Sequence, residues 1–485
     1  MSAKTASIKP FELVNFIIAL AFMFLFRLIP APEPITAYGM GVLGVFIGAI
    51  WGYCFGGQST LWASMLALFA LGLVMPTGVY GAVAAVLSNY VFIIVFLSLF
   101  TVGALMGANI SEYLAFKLLS ADIFKKNAWL LILGILLCDF IVGIATNPIV
   151  VTIFLFSLLT TLFQQAGYKV GEKTPTMILL SVAITTLACS ILYPWSAPQV
   201  IPLQSLQAVG ITVSNGAYMG MIFIATIIVI AICIAMMKLL NCDVKQMSQC
   251  DIGFLAEKYK DGLSKYQKAV LVGMLLFALG SIVIAFFPKS LGVVSTVVTS
   301  QISFIGWMAL AVGVMMFIKV DGKRLLEPNV MAAAFPWDML MMIGIGVAVG
   351  GMLTTEDAGI TAWIGEKIGP MMSSTSDLTL CIIIAVVGLV LTNFLNNNAV
   401  IILLSTIVVS LSTQGIIDDP VVPSMVVILA SEMGFLTPGA SVYGAMMHSH
   451  EYTTPSSVYK YGGIMFVVTL VFCIVIVVPL SRLFF

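Results

Sequence analysis

Two stretches decide how this chain folds: Cys138–Phe154, reading CDFIVGIATNPIVVTIF, and Val386–Leu404, reading VVGLVLTNFLNNNAVIILL. Each lies inside an apolar run, 127–166 and 376–413, that is about twice the roughly 20 residues a helix needs to cross a bilayer. Each run is interrupted near its centre by an Asn-rich polar break. The first break is Ala145-Thr146-Asn147-Pro148, and the second is Thr392-Asn393 followed by the tip Asn396-Asn397-Asn398. A helical hairpin that enters a membrane and turns back at mid-depth fits such a run better than one very long helix.

Composition agrees with that reading. Of 485 residues, 61% are hydrophobic and 9% charged, where a soluble domain carries about 25% charged residues; mean hydropathy is +1.14. A water-soluble fold is excluded. Lys plus Arg and Asp plus Glu both number 21, so no basic field exists to attract nucleic acid. The eight cysteines, most of them in apolar runs and none in a CxxC pair, read as reduced thiols and not as a disulfide frame or zinc site. Met1–Pro10 is short and polar, and the apolar run behind it leads into Pro30-Ala31-Pro32-Glu33-Pro34 without a small-residue cleavage site, so 13–28 reads as a first span.

Single apolar runs occur near 11–30, 35–56, 60–76, 83–107, 177–200, 216–240, 267–287, 300–319, 334–354, 420–446 and 458–484. The expected fold is thus an all-α integral membrane protein with about eleven transmembrane helices and two re-entrant hairpins. Lysines and arginines gather at 4–9, 117–126, 169–173, 238–268, 319–324 and 460, while the opposite side has almost none: loops 31–34, 77–82, 201–215 and 414–419 lack them, and Lys289 stands alone. By the positive-inside rule the N-terminus is cytoplasmic and the C-terminus extracytoplasmic, in a bacterial-type inner membrane.

Residues 35–240 run span, span, span, hairpin 127–166, broken span, span. Residues 267–485 repeat that order around hairpin 376–413, starting from the other side. The expected division is an N-terminal scaffold span at 1–34, a first inverted repeat at 35–240, a cytoplasmic linker at 241–266 and a second inverted repeat at 267–485. Inverted repeats with discontinuous helices are the architecture of alternating-access transporters.

Backbone that leaves a helix at membrane depth must be satisfied by protein, water or ligand. Asn and Thr supply amides and hydroxyls, and half-helices aim their N-terminal N–H groups at whatever lies between them, which favours an anion. These side chains either cap the turns alone or hold a solute. A broken span follows each hairpin: ILYPWSAPQVIP at 191–202, with Ser196 and Pro198, and GFLTPGASVYG at 434–444, with Thr437 and Pro438. Proline removes a backbone donor there and frees carbonyls.

The twofold order of scaffold spans, Asn-tipped hairpin and Pro-broken span resembles the divalent-anion/sodium symporter family of the ion transporter superfamily. FPWDMLMMIGIGVAVGGMLTTEDAGITAWI at 335–364 is similar to that superfamily's signature ahead of its second hairpin. The likeness spans nearly the whole chain in topology and short stretches in residues. It implies that Thr146, Asn147 and Pro148 stand where the family has its first Ser-Asn-Thr, and Asn396, Asn397 and Asn398 where it has the second. Thr437 and Pro438 match its Thr-Pro. By that resemblance Thr146, Asn147, Asn397, Asn398 and Thr437 contact substrate carboxylates, with sodium close by and a homodimer as the assembly. Ser196 and Asn396 complete the candidate substrate set. Only the central Asn of each tip is kept, and Ser-Ala-Pro stands where Thr-Pro-Pro is usual.

Four acids lie in or at the ends of apolar runs: Glu112, Asp139, Asp338 and Glu432. Intramembrane charges commonly mark ion or proton paths. Asp338, at a span start, reads as a helix N-cap, and Glu112 as wet. Asp139 lies about two turns before the first tip and Glu432 about one and a half turns before Thr437, so these two, with Thr392, are candidate coupling-ion or proton residues; a permanent pair or a neutral acid is the alternative. His448 and His450 form an HxH that reads as no metal site. The leading expectation is a secondary transporter of small di- or tricarboxylates driven by sodium, protons or anion exchange, with no cofactor beyond a possible sodium ion, lipid around it and no nucleic-acid partner. The alternatives are a cation or sodium/proton antiporter using Asp139 and Glu432, and a membrane-embedded enzyme, for which the motifs GxSxG and HExxH are absent.

Overall fold

The structure, a computed structural model, describes residues 10–55, 61–108, 110–124, 126–195, 199–250, 260–285, 287, 292–329, 337–363, 366–367, 376–395, 397–438 and 440–485. These residues are mostly helical, and the only strands among them are Lys319–Val320 and Lys323–Arg324, paired across Asp321-Gly322. Among the described residues seven helices are long and apolar enough to cross a membrane: Pro10–Leu28, Ala128–Ala145, Pro148–Ala166, Lys173–Ser190, Asn215–Leu239, Lys265–Ile284 and Pro455–Phe484. Shorter apolar helices make up the rest.

The chain forms two compact units, each drawn from three segments, and neither unit coincides with a half of the sequence. The first comprises 1–93, 197–213 and 336–431. In it Trp337–Leu353 packs against Ala37–Phe55, Leu61–Val74 and Asn397–Thr413. Small residues allow the approach: a Cβ on Gly346 would lie 2.2 Å from Ile402, and one on Gly344 2.7 Å from Phe92. Such close backbone packing is how helices associate where water drives nothing. The turn at 356–358 docks on the start of Ala37–Phe55, where the Thr36 hydroxyl donates to the Asp357 carbonyl at 2.6 Å.

The second unit comprises 94–196, 214–335 and 432–485. Its central element is Lys173–Ser190, buried from Thr174 to Cys189 and packed by Ala128–Ala145, Pro148–Ala166, Asn215–Leu239 and Pro455–Phe472. Hydroxyls within this helix are satisfied by carbonyls one turn back, Ser181 on Met177 at 2.7 Å and Thr186 on Val182 at 2.9 Å. That habit lets a buried helix carry polar residues.

Several expectations are corrected. The 83–107 run is two helices, Gly78–Leu87 and Tyr90–Ala108, separated at Ser88-Asn89. The supposed loop 201–215 contains the helix Val200–Ala208, which packs on Asn397–Thr413. The 300–319 span starts at Val293 and passes through a π-helical stretch, Val297–Ile302, before Ser303–Phe317. In the linker, Lys245–Gln249 is a short 3-10 turn, and 251–259 lies outside the described residues.

Asp338 caps a neighbouring helix. It sits in the first turn of Trp337–Leu353, and its Oδ1 accepts from the backbone N–H of Leu61 at 2.7 Å, at the start of Leu61–Val74. A carboxylate there satisfies an orphan amide and complements the helix dipole. Asp338→Ala is expected to lower stability by about 1 kcal/mol, and Asp338→Asn, which keeps an acceptor, by less. Thermal unfolding of the two variants in detergent checks this, and equal losses would contradict it.

Candidate functional site

In the first helix pair the connection between Ala128–Ala145 and Pro148–Ala166 is two residues long. Pro148 fixes it. A residue before proline is pushed out of the α region, and proline at the first helical position costs no hydrogen bond. Asn147 is accordingly extended (φ −145°, ψ 119°), and its Oδ1 accepts the Val150 N–H at 3.3 Å. It is 9% exposed, and its carboxamide N–H group is left for other uses. The Thr146 hydroxyl turns inward and donates to the Val142 carbonyl at 2.6 Å. The Ile144 carbonyl, orphaned at the helix end, accepts from the Tyr193 hydroxyl at 3.1 Å.

The second pair, Asp377–Thr392 and Asn397–Thr413, is capped by Ser376, which accepts the Thr379 N–H at 3.2 Å. At its tip the buried Thr392 hydroxyl shares its proton between Asn397 Oδ1, at 2.6 Å, and the carbonyl of Ser431. Asn393 donates to the Leu389 carbonyl at 2.8 Å. Asn397 is 8% exposed and Asn398 is half-buried. Each pair therefore presents a buried asparagine at the N-terminus of an apolar helix.

After the first pair, the helix Lys173–Ser190 stops, 191–195 are non-helical and Val200–Ala208 follows. The Tyr218 hydroxyl donates to the freed Ile191 carbonyl at 2.7 Å. After the second pair, Val421–Glu432 gives way to 433–441 and then to Val442–Ser449. Ser441 closes this second break: its Oγ accepts the Gly444 N–H at 3.1 Å and itself donates to the Gly434 carbonyl. Gly444 lies so near the Thr437 carbonyl that an added Cβ would be 2.3 Å from it. Thr437 is half-buried and Pro438 exposed.

The two acids that sequence singled out are both buried, and both use hydroxyls on one helix. Asp139, with no exposed surface, lies 2.7 Å from the Thr186 hydroxyl through Oδ2 and 3.4 Å from the Thr152 hydroxyl through Oδ1. Glu432, 7% exposed, accepts from the Ser190 hydroxyl at 3.3 Å. Thr186 and Ser190 are four residues apart on Lys173–Ser190 and thus share a face. Thr152, Thr186, Ser190 and Ser431 escaped the sequence reading; the sign that pointed to them was a hydroxyl inside an apolar run, as in Ser181–Ser190.

A family model for the sodium:sulfate symporter transmembrane region matches residues 11–483. The chain belongs to the sodium:sulfate symporter family. This is the family resemblance read from the hairpin and break motifs. No individual characterised protein matched the chain. As a sodium:sulfate symporter family member the protein is a multi-pass membrane protein of a secondary active anion transporter family.

Within this family member the remaining candidates are accounted for as follows. Ser196, Pro198 and Asn396 lie outside the described residues. His448 and His450 part company: His448 Nε2 lies 3.0 Å from the Leu436 carbonyl, whereas His450 Nε2 lies 3.0 Å from the Thr160 hydroxyl. His450 Nδ1 accepts the Tyr452 N–H at 3.2 Å, which places the proton of the neutral ring on Nε2. Burial holds its pKa below the ordinary value, against smaller upward effects of the Phe156 carbonyl and Glu451. Among the described residues no three His, Cys, Asp or Glu side chains gather around a metal-sized space.

Proposed function

We propose that this symporter-family chain moves a small organic anion, a di- or tricarboxylate, across a bacterial-type inner membrane by alternating access. The observation that carries this reading is the repeated buried asparagine, Asn147 heading Pro148–Ala166 and Asn397 heading Asn397–Thr413. Helix N-termini and carboxamide N–H donors attract carboxylates, while a cationic solute would face two positive dipole ends. In this reading Thr146, Asn147, Ser196, Asn396, Asn397, Asn398, Thr437 and Pro438 contact the substrate. Asp139, Glu432 and Thr392 serve the coupling ion, sodium or proton.

The finer topology belongs to the same proposal. Both helix pairs enter and turn back within the bilayer, about eleven other segments cross it, 35–240 and 267–485 form inverted repeats, and two copies assemble as a dimer. The apolar length of each pair and the polarity of its tip support re-entry. The basic residues at 117–126, 169–173 and 238–268 support a cytoplasmic N-terminus.

A second reading, cation or sodium/proton antiport, is favoured by one observation, the burial of both Asp139 and Glu432. Thermal stability in detergent separates the two. Purified protein is heated with succinate, citrate, sulfate or amines, each with and without sodium. A ligand that binds the folded state raises its stability by RT ln(1 + [L]/Kd). Stabilisation by succinate or citrate is expected; stabilisation by amines or sodium alone, lost in Glu432→Gln, would establish the antiporter instead.

A further inference from the structure

Asp139 lies midway along Ala128–Ala145 with no exposed surface, and its carboxyl meets hydroxyls from two other helices. Thr186 Oγ1 is 2.7 Å from Oδ2, Thr152 Oγ1 is 3.4 Å from Oδ1, and the two hydroxyl oxygens are 2.8 Å apart. Each hydroxyl also reaches a carbonyl one turn back on its own helix, Thr152 to Pro148 at 2.8 Å and Thr186 to Val182 at 2.9 Å.

Counting protons decides which state this geometry describes. A threonine hydroxyl donates once. Were Asp139 ionised, both hydroxyls would turn to it, and each bond would be short, about 2.5–2.7 Å for O–H···O⁻. The Thr152 distance of 3.4 Å is far from that, while its 2.8 Å approach to the Pro148 carbonyl is that of a bond already made. With a proton on Asp139 every donor has an acceptor. The carboxyl O–H donates to Thr186, Thr186 donates to Thr152 or to Val182, and Thr152 donates to Pro148. Among the described residues no lysine, arginine or histidine meets the Asp139 carboxyl, and an ionised carboxylate buried without such a partner would cost several kcal/mol.

The chain of hydrogen bonds ends beside the tip of the first helix pair, since Pro148 follows Asn147 directly. Removing the proton as H⁺ leaves Asp139 a carboxylate that draws the Thr152 hydroxyl off the Pro148 carbonyl. We propose that Asp139 is the coupling-proton site, carrying a proton in this conformation and releasing it in another, with Thr186 and Thr152 as positioning residues that tie its protonation to Asn147. What the proton travels with rests on the anion-transport reading; the proton site itself does not.

Titratable groups within electrostatic reach of Asp139 are Cys138 on its own helix, Cys189 on Lys173–Ser190 and Tyr443 on Val442–Ser449, and Tyr443 is within reach of Glu432 as well. Pro148–Ala166 carries none. The other ionisable residues of the packed helices are engaged elsewhere or sit near helix ends. Lys173 bonds the Leu240 carbonyl, Tyr218 the Ile191 carbonyl, and Lys238 lies over Trp129. Glu112, Tyr113 and Lys117 belong to Ile110–Leu119, Cys233 to Asn215–Leu239, and Lys245 begins the 3-10 turn.

Infrared difference spectra of the purified full-length protein across a pH series test the site without any substrate. A protonated-carboxyl C=O band is expected that disappears as pH rises, is missing in Asp139→Asn, shifts in Thr186→Val and returns in Thr186→Ser. Absence of such a band, its persistence in Asp139→Asn, or its failure to respond to pH overturns the proposal. Proteoliposomes with the membrane potential clamped then link the proton to transport. For one proton per anion, succinate accumulation should rise about tenfold for each pH unit by which the outside is more acid than the lumen, and the response should vanish in Asp139→Asn. Succinate accumulation indifferent to the gradient overturns coupling at Asp139 while leaving the anion reading intact. A titrating Asp139 band in protein that moves no succinate, citrate or sulfate upholds the proton site and overturns the anion reading.

Discussion

Asn147→Ala is expected to weaken anion binding by roughly 10- to 100-fold, the loss of one or two hydrogen bonds to a charged group at about 1.5–3 kcal/mol. The same substitution removes the N-cap of Pro148–Ala166, since Asn147 Oδ1 accepts the Val150 N–H, which costs about 1 kcal/mol of stability. Asn147→Ser separates the two effects. A serine hydroxyl caps the helix as well as asparagine does but lacks the carboxamide N–H group. The serine variant should regain the melting temperature of the parent and stay deficient in stabilisation by succinate or citrate. If serine restores both, the side chain is a cap and nothing more.

Gly444→Ala is expected to abolish transport and to lower stability by about 1–3 kcal/mol, the range for forcing extra volume into a packed site. The cause is the Thr437 carbonyl, 2.3 Å from where the new Cβ would stand. Ordinary contact begins more than an ångström farther away, and the obstacle is backbone, so rotamer changes give no relief. The 433–441 segment, held by Ser441 at Gly434 and by the His448 approach to Leu436, would have to move with Thr437 and Pro438. Uptake into proteoliposomes and thermal unfolding of the variant check this; wild-type uptake would show that the Thr437 position tolerates displacement and plays no part in binding.

The local features of the site were legible because local rules wrote them. Asn147-Pro148 announces an extended residue followed by a helix start. Proline marked breaks within 191–202 and 434–444, and the described residues 191–195 and 433–438 are non-helical. The helix Val200–Ala208 was missed because nine residues with Pro202 and three polar side chains carry too little apolar length to resemble a span. The end of Gly78–Leu87 inside an apolar run leaves no mark in hydropathy.

Partners across helices were not legible at all. Thr152 is 13 residues from Asp139 and Thr186 is 47 residues away, so no spacing rule joins them. Asp338 looked like a cap for the helix it begins, yet its acceptor serves Leu61, 277 residues distant. Burial of Asp139 and Glu432 could be suspected from the runs around them; the hydroxyls that satisfy them could not.

The measurement that bears most directly on the account is uptake of radiolabelled succinate into proteoliposomes containing the purified protein, under imposed sodium or proton gradients, with Asn147→Ala and Asn397→Ala alongside. The account expects saturable, gradient-driven accumulation that competes with unlabelled citrate and is lost in both variants. Gradient-driven uptake that survives in both variants, or an absence of carboxylate uptake from vesicles that exchange sodium for protons, would contradict it.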